Sequence, residues 1–228
     1  MIGLLGTIVN AFTVLLGTTI GFFFKKGIPK DTGDVLMKAL GLCTVIIGIS
    51  GALKGEKTLV MILSMVIGTF IGQTLDLDAK INRFVKKIEN KYAGEGEYDL
   101  TKAFITSSLL FCVGSMTIVG SLNAGLKGDN TMLYTKSVLD LTSSMIFAST
   151  LGPGVYFSIL FIIIYQGGLT LLASFLAPIL TTTVITEMTC VGSLIIIGTG
   201  TNLLGITDLK LMNFLPSMFL PILFCLFM

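Results

Sequence analysis

The strongest constraint on this chain is where its charges are missing. Of 28 charged residues, twelve fall between Asp76 and Lys102, and only Glu187, Asp208 and Lys210 follow Asp140. The rest of the sequence is left in long apolar runs, and about 20 such residues let a helix cross a bilayer. Charged residues make up 12 % of the 228 and hydrophobic ones 53 %, with a mean hydropathy of +0.93. A soluble domain is about 25 % charged. A soluble fold cannot hide this much apolar surface, so the chain reads as an integral membrane protein. Only helices or closed barrels satisfy backbone groups in lipid, and the continuous runs select helices.

The runs lie at about 2–24, 35–53, 59–75, 103–126, 131–151, 155–177, 180–206 and 211–228. They predict an all-α polytopic transmembrane helical bundle of about seven to eight spans. The last run is short and holds Pro216 and Pro221, so it either crosses or re-enters. The first lacks a basic n-region and exceeds the roughly 7–15 residues of a signal-peptide core, so it is expected to be retained. Along the chain we expect a first membrane unit at 1–75, a cytoplasmic helix and linker at 76–100, and a second membrane unit at 101–228. With the N-terminus outside, eleven Lys and Arg fall on inner loops and four (Lys54, Lys57, Lys127, Lys136) on outer ones. That asymmetry orients the chain with its N-terminus outside the cytoplasmic membrane.

Several functions are excluded early. The chain has no histidine, which removes zinc-protease motifs and Ser-His-Asp triads. A net charge of +2 gives no basic domain for nucleic acid. No Walker A or dinucleotide loop appears, so no nucleotide and no cofactor is expected. The four cysteines lie in apolar runs without CxxC spacing and read as small buried hydrophobes. An intramembrane protease is disfavoured: Tyr98-Asp99 is half of an aspartyl signature, but it lies in a loop and no GxGD follows. A serine–lysine pair of Lys136 with Ser137, Ser143 or Ser144 is formally possible, although Ser137, being adjacent, points off the face of Lys136.

Between Asp76 and Tyr92, Leu77, Ile81, Phe84, Val85, Ile88 and Tyr92 form one helical stripe, with Lys80, Arg83, Lys86, Lys87 and Lys91 opposite. This reads as an amphipathic helix on the anionic cytoplasmic leaflet. It supports an alternative role as a membrane regulator or assembly factor.

Glycine patterns recur. Residues 46–55 match 196–205 at five of ten positions, and Cys112-Val113-Gly114-Ser115 matches Cys190-Val191-Gly192-Ser193. The matched spans run in opposite directions in the expected topology, the signature of inverted repeats in transporters. Gly41, Gly48, Gly51 and Gly55, and the motif Gly68-x-x-x-Gly72, offer close helix contact. Such faces are also compatible with a homodimer. Paired small residues at Gly114-Ser115, Gly167-Gly168 and Gly192-Ser193 are candidate helix breaks.

A charge near the bilayer centre costs at least about 2.5–3.5 kcal/mol on insertion scales. Asp140 lies nine residues into the fifth run and Glu187 seven into the seventh, depths of about 13 and 10 Å at 1.5 Å per residue. Lys136 precedes Asp140 by one turn. These three are the candidate site for a small polar or ionic solute, near the midplane between the fifth and seventh spans. Asn10, Gln166, Asn202, Ser115 and Ser193 are further lining candidates, because buried amides need several partners.

Several stretches taken together are recognisable: Gly6-Thr7-Ile8-Val9-Asn10-Ala11, Lys136-Ser137-Val138-Leu139-Asp140, Phe147-Ala148-Ser149-Thr150-Leu151-Gly152, Tyr165-Gln166-Gly167 and Asn213-Phe214-Leu215-Pro216. Over nearly its whole length the chain resembles the YqgA/YdfK-like family of bacterial inner-membrane proteins. The resemblance implies a multi-span membrane protein of a kind described as transporters. It carries over no catalytic or binding residue.

Overall fold

The computed structural model describes residues 2–25, 30–92 and 99–227. Side chains of a further few helical residues, Ser115 among them, lie outside the described part. Among the described residues there is no strand. The helices are α1 (Leu5–Lys25), α2 (Lys30–Ala52), α3 (Thr58–Leu75), α4 (Leu77–Tyr92), α5 (Leu100–Cys112), α6 (Ser115–Lys127), α7 (Thr131–Leu151), α8 (Tyr156–Leu171), α9 (Ala173–Leu176), α10 (Thr182–Leu203) and α11 (Leu220–Phe224). A 3₁₀ segment, Leu211–Phe219, precedes α11.

Among the described residues five helices are long and apolar enough to cross a membrane: α1, α2, α3, α8 with its short lead-in, and α10. The bent pair α5 and α6 adds a sixth if it counts as one span. The expected seven to eight are reached only by adding α7 and the Leu211–Phe224 segment. α7 has the length, at 21 residues, but Lys136, Asp140 and its Ser/Thr residues lower its hydropathy. Such a helix needs protein neighbours, and the polar residues Lys136, Ser137, Asp140 and Ser144 are all buried.

Contacts divide the chain into two compact units that do not follow chain order. The first is Met1–Asp34 with Tyr98–Ile179, and the second is Val35–Glu97 with Leu180–Met228. The contacts therefore cut across the linear division at 75/76 and 100/101.

In the first unit α1 lies against α7 with almost no intervening side chain. A Cβ at Gly17 would come 2.3 Å from the Leu141 carbonyl oxygen, and one at Gly21 would come 2.0 Å from that of Met145. The two helices run parallel, as the contacts of Gly6 with Leu133 and Gly21 with Met145 require. α8 runs antiparallel to α1: Thr7 meets Gln166 at one end, and the Tyr156 hydroxyl bonds to Thr19 at the other. α5 and α6 meet at 59°. Asp99 caps the first by accepting from the Lys102 N–H, a typical start. Gly114 breaks the pair at φ +144°, open to glycine alone among common residues. The expected break at Gly114-Ser115 is thus present. The other two candidates fail, because α8 continues through Gly167-Gly168 and α10 through Gly192-Ser193.

In the second unit α2 and α10 run antiparallel. Gly41 approaches Leu204 and Gly200, Gly48 approaches Ile197, and Gly55 approaches Cys190. The glycine stripe of α2 is a packing face, as expected. Gly68 and Gly72 of α3 admit the 3₁₀ segment in the same way, at Ser217 and Asn213. α4 follows α3 through Asp76 in the left-handed region. Its stripe is as read where described, with Val85 buried and Lys80, Arg83 and Lys87 exposed. The Asp78 N–H donates to Asn213 Oδ1 at 2.9 Å, fixing α4 on the 3₁₀ segment. Burial raises the Asp78 carboxyl above its usual range. Of the cysteines, Cys112 and Cys190 are buried as expected, but Cys43 is exposed.

Candidate functional site

The buried face of α1 repeats at Thr7, Asn10, Ala11, Val14 and Thr18, the three-and-four spacing of one helical side. Because α1 is pressed onto α7, Asn10 reaches Asp140. Its Nδ2 donates to Asp140 Oδ2 at 3.0 Å and to Gln166 Oε1 at 3.0 Å. Gln166 Nε2 then donates to Thr7 Oγ1 at 3.3 Å. Lys136 Nζ pairs with the same Asp140 oxygen from one turn earlier on α7. Lys136 and Asp140 are each only 6 % exposed, and Asn10 and Gln166 are fully buried.

The polarity of this network is dictated, not arbitrary. A carboxylate only accepts, so Asn10 must turn its NH₂ to Asp140. That NH₂ also meets Gln166, which must answer with its carbonyl and turn its own NH₂ to Thr7. Among the described residues Asn10 Oδ1 is buried without a hydrogen-bond partner. The ammonium of Lys136 has three hydrogens, and Asp140 takes one. The cluster is neutral overall and joins α1, α7 and α8. It leaves a buried acceptor on Asn10 and spare N–H donors on Lys136.

The α5–α6 break is close by. Cys112, the last residue of α5, lies near enough for the charges of Lys136 and Asp140 to act on its thiol. Phe111 packs on Phe147 of α7 with ring centroids 5.8 Å apart. Unwound helix ends beside a charged residue are a recurring way to build a membrane binding site.

Glu187 belongs to a different setting. Its Oε1 accepts from the N–H groups of Glu56 and Lys57, at 2.8 and 2.9 Å, just before α3 begins. A carboxylate there satisfies orphan donors and faces the positive end of α3. Glu187 is fully buried, and among the described residues Oε2 has no partner. All the described partners of Asp140 lie in the first unit and those of Glu187 in the second. Ser193 faces Gly51 in the second unit. Asn202 accepts from Thr207 and from the Leu209 N–H, which ties down the chain after α10. Ser115 opens α6, and its side chain lies outside the described part. Sequence reasoning named Lys136, Asp140, Asn10 and Gln166. Cys112 entered that reading only as a buried cysteine and through the repeat Cys112-Val113-Gly114-Ser115.

The cap role of Glu187 has a direct test. Glu187→Gln retains an acceptor for both N–H groups, so thermal unfolding of the purified protein should change by less than about 1 kcal/mol. Glu187→Leu strands both donors and should cost about 1–3 kcal/mol. A Gln variant as unstable as the Leu variant would show that the negative charge itself is required.

Among the described residues no cluster of three or more Cys, Asp or Glu side chains is able to hold a metal ion. The profile of the family described as Protein of unknown function (DUF554) matches residues 5–226. The uncharacterized membrane protein YdfK of Bacillus subtilis (strain 168) is 36 % identical over 220 residues, covering 95 % of this chain and 93 % of that one. The uncharacterized protein YqgA of Escherichia coli (strain K12) is 30 % identical over 220 residues, covering 95 % and 94 %. No solved structure matches the chain.

Proposed function

The chain belongs to the DUF554 family of membrane proteins of unknown function, and from its own site we propose that it is a secondary transporter or channel for a small polar or ionic solute. The observation that carries this reading is the buried Lys136–Asp140 pair, bonded through Asn10 to Gln166 and leaving Asn10 Oδ1 without a partner. Ionisable residues at membrane depth are costly and are typically kept for a pathway or relay. A pair serving stability alone gains little over apolar side chains of the same volume. Here it also holds three helices beside a helix break, where a solute or proton that competes for Asp140 would loosen all of them together. The reading rests on the first-unit cluster alone.

With no nucleotide motif, the driving force in this reading is a gradient. The basic loops support a bacterial cytoplasmic membrane with the N-terminus outside. The reading includes no enzymatic step. The test is flux into liposomes under imposed proton, sodium or solute gradients, with solutes chosen by thermal stabilisation, since a ligand of the native state raises its stability. Flux that depends on the protein supports the reading. Absence of flux under every gradient, with function in cells lost on neutralising the exposed Lys80, Arg83 and Lys87, would favour the regulator acting through α4 instead.

A further inference from the structure

In the first unit a cleft of about 430 Å³ runs between α1 and α8, and Thr7 supplies the only polar side chain of its lining. Ile8 and Ile164 at its mouth are each 63 % exposed, and Leu171 is 70 % exposed. In a bilayer those side chains touch hydrocarbon, so the cleft continues the lipid-facing surface of two spans.

Its floor is made by Gly167 and Gly168. Other glycines in this unit are explained by packing or by a positive φ: a Cβ at Gly125 would come 2.2 Å from the Thr170 carbonyl oxygen, and Gly114 sits at φ +144°. At Gly167 the nearest atom is Thr7 Cγ2 at 3.8 Å, and at Gly168 there is nothing within 4 Å. Glycine weakens a helix relative to alanine, and no neighbour in the chain takes up the space these two release. Their effect is to keep the cleft open.

Water does not fill an apolar cleft. A helix from a second copy needs a flat face of small residues for close approach, and Ile8, Ile164 and Leu171 rim this one. A single hydrocarbon chain passes between them. We propose that the α1–α8 cleft is a lipid site holding one acyl chain of a bilayer phospholipid, entered sideways from the membrane. The gain is the dispersion contact that an empty cleft forfeits. Through Thr7 the acyl chain lies against the residue that accepts from Gln166, three hydrogen bonds from Asp140. The site stands whether or not the protein transports anything.

Native mass spectrometry tests it on full-length protein reconstituted with dioleoylphosphatidylcholine and released into mild detergent. Wild type and Gly168→Ala should each carry one phospholipid per chain. Gly168→Leu, which fills the cleft, should lose it while keeping the wild-type melting temperature. Gly167→Val, on the same floor, is the second variant should Gly168→Leu not fold. Equal retention in the filled variants, or none in wild type, overturns the proposal. So does a wild-type dimer that the filled variant turns into a monomer, since the cleft would then be a contact between copies.

Discussion

Asp140→Asn in reconstituted protein is expected to abolish flux and to lower stability, and a double variant should separate the two effects. The carboxylate accepts from both Lys136 and Asn10 on one oxygen. Neutralising it leaves the Lys136 ammonium buried without a counter-charge, and breaking one side of a buried pair costs about 3–5 kcal/mol. Lys136→Met alone should do similar damage by stranding Asp140. Lys136→Met with Asp140→Leu removes both charges together, and such apolar replacements are commonly neutral or stabilising. Melting temperature should therefore return towards wild type in the double variant while flux stays absent. The single substitutions alone would not decide the matter, because an unstable protein also fails to transport. Wild-type flux from a stable double variant would make the pair purely structural and remove Asp140 and Lys136 from the mechanism.

What the sequence disclosed depended on how local each signal was. Helix positions followed from apolar runs, and Thr131–Leu151 is a helix at the expected bounds. The pairing of Lys136 with Asp140 was legible because it lies within one turn. Asn10 and Gln166 stood out as amides in apolar runs, but their meeting across 156 positions depends on α1 and α8 being neighbours, which no local pattern states. Asp140 and Glu187 stood out by their depth along two spans, yet depth fixes only one coordinate and does not state the neighbours each carboxylate meets: Asn10 and Lys136 for the first, the N–H groups of Glu56 and Lys57 for the second. Glycine was the most ambiguous signal. Gly17, Gly21, Gly114 and Gly168 look alike in sequence, but two admit a neighbouring backbone, one breaks a helix and one faces an open cleft.

Gly21→Ala should therefore be among the most damaging conservative changes in the chain, although it adds one methyl group and touches no charged residue. The new Cβ would lie 2.0 Å from the Met145 carbonyl oxygen, where contacts under 3.0 Å essentially never occur. The obstacle is backbone, so no rotamer change relieves it. α1 and α7 must separate locally by about 1 Å, and overpacking of this kind costs about 1–3 kcal/mol or more. Asn10 lies on α1 three turns away. Its 3.0 Å bond to Asp140 has little tolerance for a tilt, since hydrogen bonds weaken quickly beyond their normal range. The expected outcome is a lower melting temperature with flux falling in step, and Gly17→Ala, 2.3 Å from the Leu141 oxygen, should behave alike. Gly168→Ala is the internal control: it adds the same methyl group to open space and should leave both readings unchanged. If Gly21→Ala and Gly168→Ala proved equally harmless, α1 and α7 could not be in backbone contact. The Asn10–Asp140 bond that depends on that contact would then lose its support.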